Sequence, residues 1–477
     1  MKKRVLLGGV LFVALCVLAG IGYFGKKMNI NFIETETREA PKKEDKAEKK
    51  EQLERETLYE EILNHCTADF IGEKPINDNF LSWLHSAYGE EVIEEIAKES
   101  KKSRQDRNLW YSLTGNSIQV LWIQYCRDTG YQLELLENVY ERDCADTEEI
   151  VLDFTGDVNL AEGWSTTKYM DQQENGIYDC LSANLVMELQ GADILMVNNE
   201  YAYSDRGYPL PGKTYTFRAM PTRVQVLQQI GTDVVSLANN HVYDYGEDAL
   251  LDTLETLENV GIPYVGAGRN LKEAEKIVYF IANGRKIAIV AATQIERFES
   301  FTKEAEENTP GVLKTLEPDK FVRVIREAKK NSDYVIAYPH WGTEGTSVYG
   351  LDQRQLAEAF AEAGADVIIG GHTHSLQGID YIGDVPVFYS LGNFWFNGKT
   401  IDTGVAQVRI QKDGSIRPRF LPCLQSGCQT ELLEDGEKRD KILEFMRGLS
   451  KGVEIDEKGD ITCLLYTSPS PRDTERS

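Results

Sequence analysis

Cationic charge, histidine and paired cysteine motifs are what this 477-residue sequence has least of. Lysine and arginine total 52 against 77 aspartates and glutamates, a formal net charge of −25. A chain with that deficit cannot neutralise a phosphate backbone, so no nucleic-acid partner is expected. The eight cysteines, Cys16, Cys66, Cys126, Cys144, Cys180, Cys423, Cys428 and Cys463, include no Cys-x-x-Cys pair and no Cys/His cluster. That spacing argues against a structural zinc site. Cys423 and Cys428 are the most closely spaced disulfide candidates, although spacing cannot assign connectivity. Only one long apolar run occurs, which excludes a polytopic membrane chain. The remainder, 42% hydrophobic and 10% aromatic with 39 glycines, is globular in composition and too long for a single core.

The one apolar run extends from Val5 to Phe24 behind Lys2, Lys3 and Arg4. At 1.5 Å per residue it spans roughly 30 Å, enough for one membrane crossing. Residues 1–28 therefore read as a signal anchor, with cleavage near Ala19 as the alternative. The anchor predicts a single-pass protein of the cell membrane whose main domain is extracytoplasmic. Residues 29–56 are dense in Glu, Lys and Arg with almost nothing apolar, the composition of a solvated tether or a frayed charged helix.

Residues 57–146 show apolar positions at three-to-four spacing, as in Trp83, Leu84, Tyr88, Val92, Ile93 and Ile96, which predicts a small helical region. From 147 to 423 short apolar strands alternate with amphipathic helices, the pattern of a layered α/β domain. Predicted strands include 150–155, 194–197, 233–237, 286–291, 334–338, 366–369 and 385–389. Helices are expected at 246–260, 319–330 and 352–363. Residues 424–462 read as a C-terminal extension. The last segment, 463–477, breaks composition and reads as a non-native tail.

Most strands of the α/β domain end in a polar cluster. Asp157, Glu200, Asn240 with His241, His340, and His372 with His374 each follow an apolar strand. Ligands of α/β sheets bind beyond the carboxyl ends of strands, so these clusters are expected to converge on one site. Imidazole, carboxylate and amide oxygen together suit Zn, Mn or Fe. Strand or helix capping by the histidines is the alternative use. His65 and His85, the other two of the chain's six histidines, lie in the helical region and read as surface or core residues. Asp244, three residues beyond His241, is placed either to orient that imidazole or to cap the helix from Gly246. Trp341 reads as packing with substrate stacking as the rival, Asp380 as a residue behind the histidine pair, and the Gly-Asn of Ser390–Phe394 as a turn.

The order of the segments carries more than any one of them: FTGDVNL, VNNE, SLANNHVYDYG, YVGAGRN, YPHWGTEG, GGHTHSLQGIDYI and VFYSLGNFWF, over roughly 150–422. As an ordered set they resemble the calcineurin-like metallophosphoesterases, and most of all their capsule-synthesis relatives, the CapA or poly-gamma-glutamate synthesis family. The resemblance implies a four-layer α/β sandwich with one or two divalent ions (Mn, Fe or Zn) held by Asp157, Glu200, Asn240, His340, His372 and His374. It implies His241 as the acid that protonates a leaving group, and metal-assisted attack on a phosphoryl or carbonyl centre. Two departures stand out: Asn159 replaces the histidine of the phosphoesterase Asp-x-His, and the second Gly-Asp-x-x-Asp motif is absent. What the resemblance implies for function is synthesis, release or attachment of an anionic cell-surface polymer by a metal-dependent hydrolase or transferase. Expected partners are the membrane, the polymer or its precursor, and membrane synthase subunits. A non-catalytic polymer-binding or scaffold subunit is the alternative.

Overall fold

The computed structural model describes residues 43–65, 76–101, 108–296 and 301–464. The apolar run at 5–24, Cys16, Cys66 and residues 465–477 lie outside the described residues. The chain divides into two units, Met1–Glu54 and Arg55–Ser477. The helix Lys43–His65 contains residues of both, so the charged segment is helical from Lys43 onward. No helix among the described residues is long and apolar enough to cross a membrane.

In the second unit, the helices Asp78–Tyr88, Glu90–Ser100, Leu109–Thr114 and Ile118–Thr129 bury Phe80, Leu84, Ile93, Ile96, Trp110 and Trp122 in a cluster of their own. Asn77 and Ser117 cap two of these helices through their side-chain oxygens, accepting from the N–H groups of Phe80 and Val120. Val139–Arg142 departs from the helical expectation for 57–146. It is a strand that pairs in parallel with Val278–Ala282 at the edge of a sheet. Four residues carry too little alternation to announce a strand, and its partner lies far along the chain.

Two sheets dominate the unit. One runs Gln429–Leu432, Ile416–Ser426, Ile401–Gln411, Glu149–Val158, Ile194–Asn199, Val234–Ser236, Tyr264–Val265, with Asn393–Trp395 added beside Glu149–Val158. The other runs Val139–Arg142, Val278–Ala282, Arg285–Thr293, Tyr334–His340, Val367–Ile369, Val385–Phe388, Ile379–Ile382. Strand alternation sorts side chains to opposite faces. Ile194 and Met196 face the second sheet's Ile287, Ile289 and Ile336 in a shared core. Leu195 and Val197 point outward to helices Ala183–Gly191 and Gly246–Val260 through Leu185, Leu250 and Leu254. On the far side Val290 and Ala337 pack against Asp319–Lys330 and Leu351–Ala363 through Phe321, Ile325 and Phe360. The result is helix, sheet, sheet, helix: the four layers expected.

The domain does not stop at 423. That position falls inside the strand Ile416–Ser426, and the helix Glu437–Leu449 inserts Ile442, Leu443 and Met446 into the inter-sheet core. Residues 424–462 are therefore part of the sandwich rather than an extension to it. Cys463, assigned to the tail, closes the hairpin Val453–Ile455 with Ile461–Cys463. Cys423 and Cys428 are separate free thiols.

Candidate metal centre

Each candidate side chain sits where a parallel strand ends. Asp157 lies at the end of Glu149–Val158, beside Asn198 of the neighbouring strand. Glu200 follows Ile194–Asn199, and Asn240 and His241 lie in the loop after Val234–Ser236. From the second sheet, His340 ends Tyr334–His340, while His372 and His374 follow Val367–Ile369. Backbone approach is tight here. A Cβ on Gly156 would lie 2.0 Å from the Gly392 carbonyl oxygen, the acceptor for the Asp157 N–H. His372 and His374 adopt φ of 97° and 55°, a left-handed backbone that costs energy outside glycine and that recurs at functional sites.

All six candidate ligands meet. One ligand atom each from Asp157, Glu200 and His374 lie within 4.8 Å of one another, and the same holds for Glu200, His340 and His372. Glu200 belongs to both groups. His340 Nε2 is 2.9 Å from Asn240 Oδ1, 3.2 Å from His372 Nδ1 and 3.7 Å from Glu200 Oε1. Asp157 Oδ2 is 3.1 Å from His374 Nδ1. Asn198 Nδ2 donates to Asp157 Oδ1 at 2.7 Å and holds that carboxylate in place.

Burial sets the electrostatics. Asp157, Glu200 and His340 are wholly buried. Desolvation, then the adjacent Asp157 charge, pushes the Glu200 carboxyl well above its ordinary value. Burial also raises Asp157, but the hydrogen bond and charge of His374, with His340 and Asn198, outweigh it and hold Asp157 below the usual range. Burial drives His340 down to about 3, leaving a neutral imidazole, the form that binds metal. For His374 burial is outweighed by Asp157, and its pKa stands above normal.

Asp157 Oδ2, Glu200 Oε1 and His374 Nδ1 are buried atoms without an aligned hydrogen-bond partner. An unpaired buried carboxylate oxygen is costly. A divalent cation among these atoms would satisfy all three, and the nitrogen and oxygen donors match borderline metals. The residues present fit such an ion.

His241 and Asp244 stand beside this cluster. Asp244 Oδ2 is 2.7 Å from His241 Nδ1, which directs Nε2 toward Glu200 Oε1 at 3.9 Å. Of the two uses expected for Asp244, orienting the imidazole is therefore present. Phe217 packs on the His241 ring at 4.4 Å and Phe396 on His374 at 4.6 Å. Asn159 is engaged otherwise: its Oδ1 accepts from the Ala161 N–H at 2.8 Å. Trp341 is fully buried, donates to the Tyr389 carbonyl and stacks near Phe360, so it is packing. Asp380 pairs with Arg354 and Tyr349 instead of backing the histidines. Asn393, after the Gly392 turn, begins a short strand paired with Asp157.

The sequence marks Asn239 only as part of the polar cluster with Asn240 and His241, and it assigns no role to Asn239, Phe217 or Lys213. Asn239 Oδ1 accepts from the N–H groups of His241 and Val242, while its Nδ2 donates to Asn198 Oδ1 and the Asn199 carbonyl, shaping the loop. Phe217 and Lys213 come from the loop after Tyr203 and carry no pattern that would single them out.

A family model described as "Bacterial capsule synthesis protein PGA_cap" matches residues 151–398. The chain belongs to that family. The PGA biosynthesis protein CapA of Bacillus subtilis (strain 168) is 37% identical over 221 residues, 46% of this chain and 57% of that protein. The capsule biosynthesis protein CapA of Bacillus anthracis is 31% identical over 283 residues, 57% of this chain and 68% of that protein. A probable polyglutamine synthesis accessory protein of Mycobacterium tuberculosis is 27% identical over 217 residues, covering 44% and 57%. The chain thus spans a little over half to two thirds of these PGA_cap relatives. A solved 5'-nucleotidase from Candida albicans SC5314 aligns at 13% identity over 59% of this chain and 53% of that one, with a TM-score of 0.33. That likeness is too slight to add to the sheet description.

Proposed function

We propose that this PGA_cap protein acts in the synthesis, release or attachment of an anionic cell-surface polymer of the poly-gamma-glutamate type, through a divalent-metal centre of metallophosphoesterase kind. The observation that carries the proposal is the buried grouping itself: ligand atoms of Asp157, Glu200 and His374 lie within 4.8 Å of one another, and Glu200 is shared with the equally close group of His340 and His372. Asp157, Glu200 and His374 would hold one ion, and Glu200, Asn240, His340 and His372 a second, with Glu200 common to both. When bound, the ions would supply Lewis acidity and lower the pKa of water. The chain's own residues do the rest. Asp244 Oδ2, which also accepts from the Phe217 N–H, holds His241 at Nδ1 and so leaves Nε2 facing the site, where it would exchange a proton with a leaving group. Phe217 and Phe396 pack against the His241 and His374 rings and limit their rotation. Residues 1–28 would anchor the chain, with the metal domain outside the membrane beside polymer and synthase subunits.

A second reading, a non-catalytic polymer-binding or scaffold subunit, is favoured by Asn159, whose oxygen is committed to its own turn where the phosphoesterase motif has a ligand. Metal analysis of the full-length chain decides between the two, followed by a panel of phosphodiester and gamma-glutamyl substrates. Stoichiometric Mn, Fe or Zn with turnover of one substrate class supports the enzyme; a metal-free chain that still binds polymer supports the scaffold.

A further inference from the structure

The loop following Tyr203 carries a buried cation. The Lys213 side chain is 6% exposed, and its Nζ lies 2.8 Å from Asp244 Oδ1 and 3.3 Å from Glu296 Oε1. It also donates to the main-chain oxygen of Asn240. The two carboxylate contacts are ion pairs without aligned hydrogen-bond geometry, and the hydrogen bond of the ammonium goes to the Asn240 carbonyl. Thr302 Oγ1 reinforces the junction, donating to the same Asn240 carbonyl at 3.2 Å, while its N–H donates to Glu296 Oε2. The loop is further sewn to this segment by Leu210 N–H to the Asp244 carbonyl and Phe217 N–H to Asp244 Oδ2.

Two of these three partners lead directly into the site. Asn240 presents its amide oxygen to His340 Nε2 at 2.9 Å, and Asp244 holds His241 Nδ1 at 2.7 Å. We propose that Lys213 is a positioning residue for this centre: by fixing the Asn240 main chain and the Asp244 carboxylate, it sets where the amide oxygen and the His241 imidazole point. The proposal rests on the metal-centre reading for its function, but its geometry does not need the ion. Without the ammonium, fully buried Asp244 loses its cationic partner, and nothing but Thr302 retains the Asn240 carbonyl. Groups that orient ligands in this way ordinarily change metal affinity when removed.

The test uses the full-length chain and two readouts: the downfield proton resonance of His241 Nδ1–H, assigned by its loss in H241Q, and titration with Mn²⁺ alone. In K213M, whose side chain keeps the apolar stem, the resonance is expected to disappear and Mn²⁺ affinity to fall about tenfold. K213Q, which retains a donor for the Asn240 carbonyl, is expected to lose the resonance with a smaller fall in affinity, and it serves if K213M fails to fold by circular dichroism. A folded Lys213 variant that keeps the resonance, or a wild-type chain that lacks it, overturns the proposal. Unchanged affinity in K213M overturns the branch through Asn240. A wild-type chain that shows the resonance but binds no Mn²⁺ contradicts the metal reading instead, and the resonance alone then decides the role of Lys213.

Discussion

Among the candidate ligands, the sheet built around Glu149–Val158 delivers oxygens, from Asp157, Glu200 and Asn240, with the His241 imidazole beside them, whereas the sheet built around Tyr334–His340 delivers imidazoles, His340, His372 and His374. The oxygen side is anionic and self-repelling: Asp157 helps to raise the Glu200 pKa. The imidazole side is desolvated and, at His340, neutral. Neither half is a good cation site alone, since paired carboxylates repel and a wall of imidazoles lacks charge to offset a dication. Stacking the sheets over the Phe154, Met196, Ile289 and Ile336 core is what makes the halves complementary. The proposed metal centre is in this sense a product of inter-sheet packing.

The largest effect comes from loosening that packing. Phe154 is fully buried between the sheets, and F154A is expected to destabilise the protein by about 3–5 kcal/mol in urea unfolding, with metal affinity falling alongside. Next, removing one ligand from either half has an equivalent outcome: D157A and H372A each weaken metal binding on the order of 100-fold in a competition titration. A variant pair in which only one half matters breaks the comparison. Smaller again, if the centre is catalytic as proposed, D244N leaves metal content near wild type while lowering turnover on the order of 100-fold, because it disturbs the proposed acid His241 and not the proposed ligands.

Asp153 sharpens the contrast between the halves. It lies four residues before Asp157 on the same strand and is equally buried, yet it accepts from the Gln407 amide, which also donates to Glu188, rather than meeting imidazoles. Burial first, then Glu188, raises its pKa well above normal, the opposite of Asp157. A carboxyl raised in the fold lends stability that is complete below the ordinary Asp range and lost as pH rises through the folded value. D153N should therefore match wild type at acid pH and raise Tm at neutral pH by on the order of 2 °C in a melting series.

Much of this was legible because it is local. Val-Ile-Ile-Gly-Gly-His-Thr-His puts its apolar residues on a strand and its polar ones just past the end, and the core strands from Glu149–Val158 to Val385–Phe388 lie within a few residues of their predicted spans. The ordered motifs also led to the expectation of one shared site, and Asp157, Glu200, His340, His372 and His374 lie close together, with Asn240 against His340. What escaped was tertiary. Lys213 is an ordinary loop lysine until Asp244, Asn240 and Glu296 surround it. The edge strand Val139–Arg142 exists only because Val278–Ala282 offers free hydrogen-bonding groups. The boundary at 423 failed because the helix Glu437–Leu449 looks like a surface appendage by composition, and its apolar stripe finds the inter-sheet core only in three dimensions.

Anomalous diffraction from crystals soaked in Mn²⁺ tests the two-sheet centre most directly. The account predicts a peak bounded by Asp157, Glu200 and His374, with a second expected on the side of Asn240, His340 and His372. Saturated crystals with no anomalous density among these residues, or with density only elsewhere on the molecule, would contradict it.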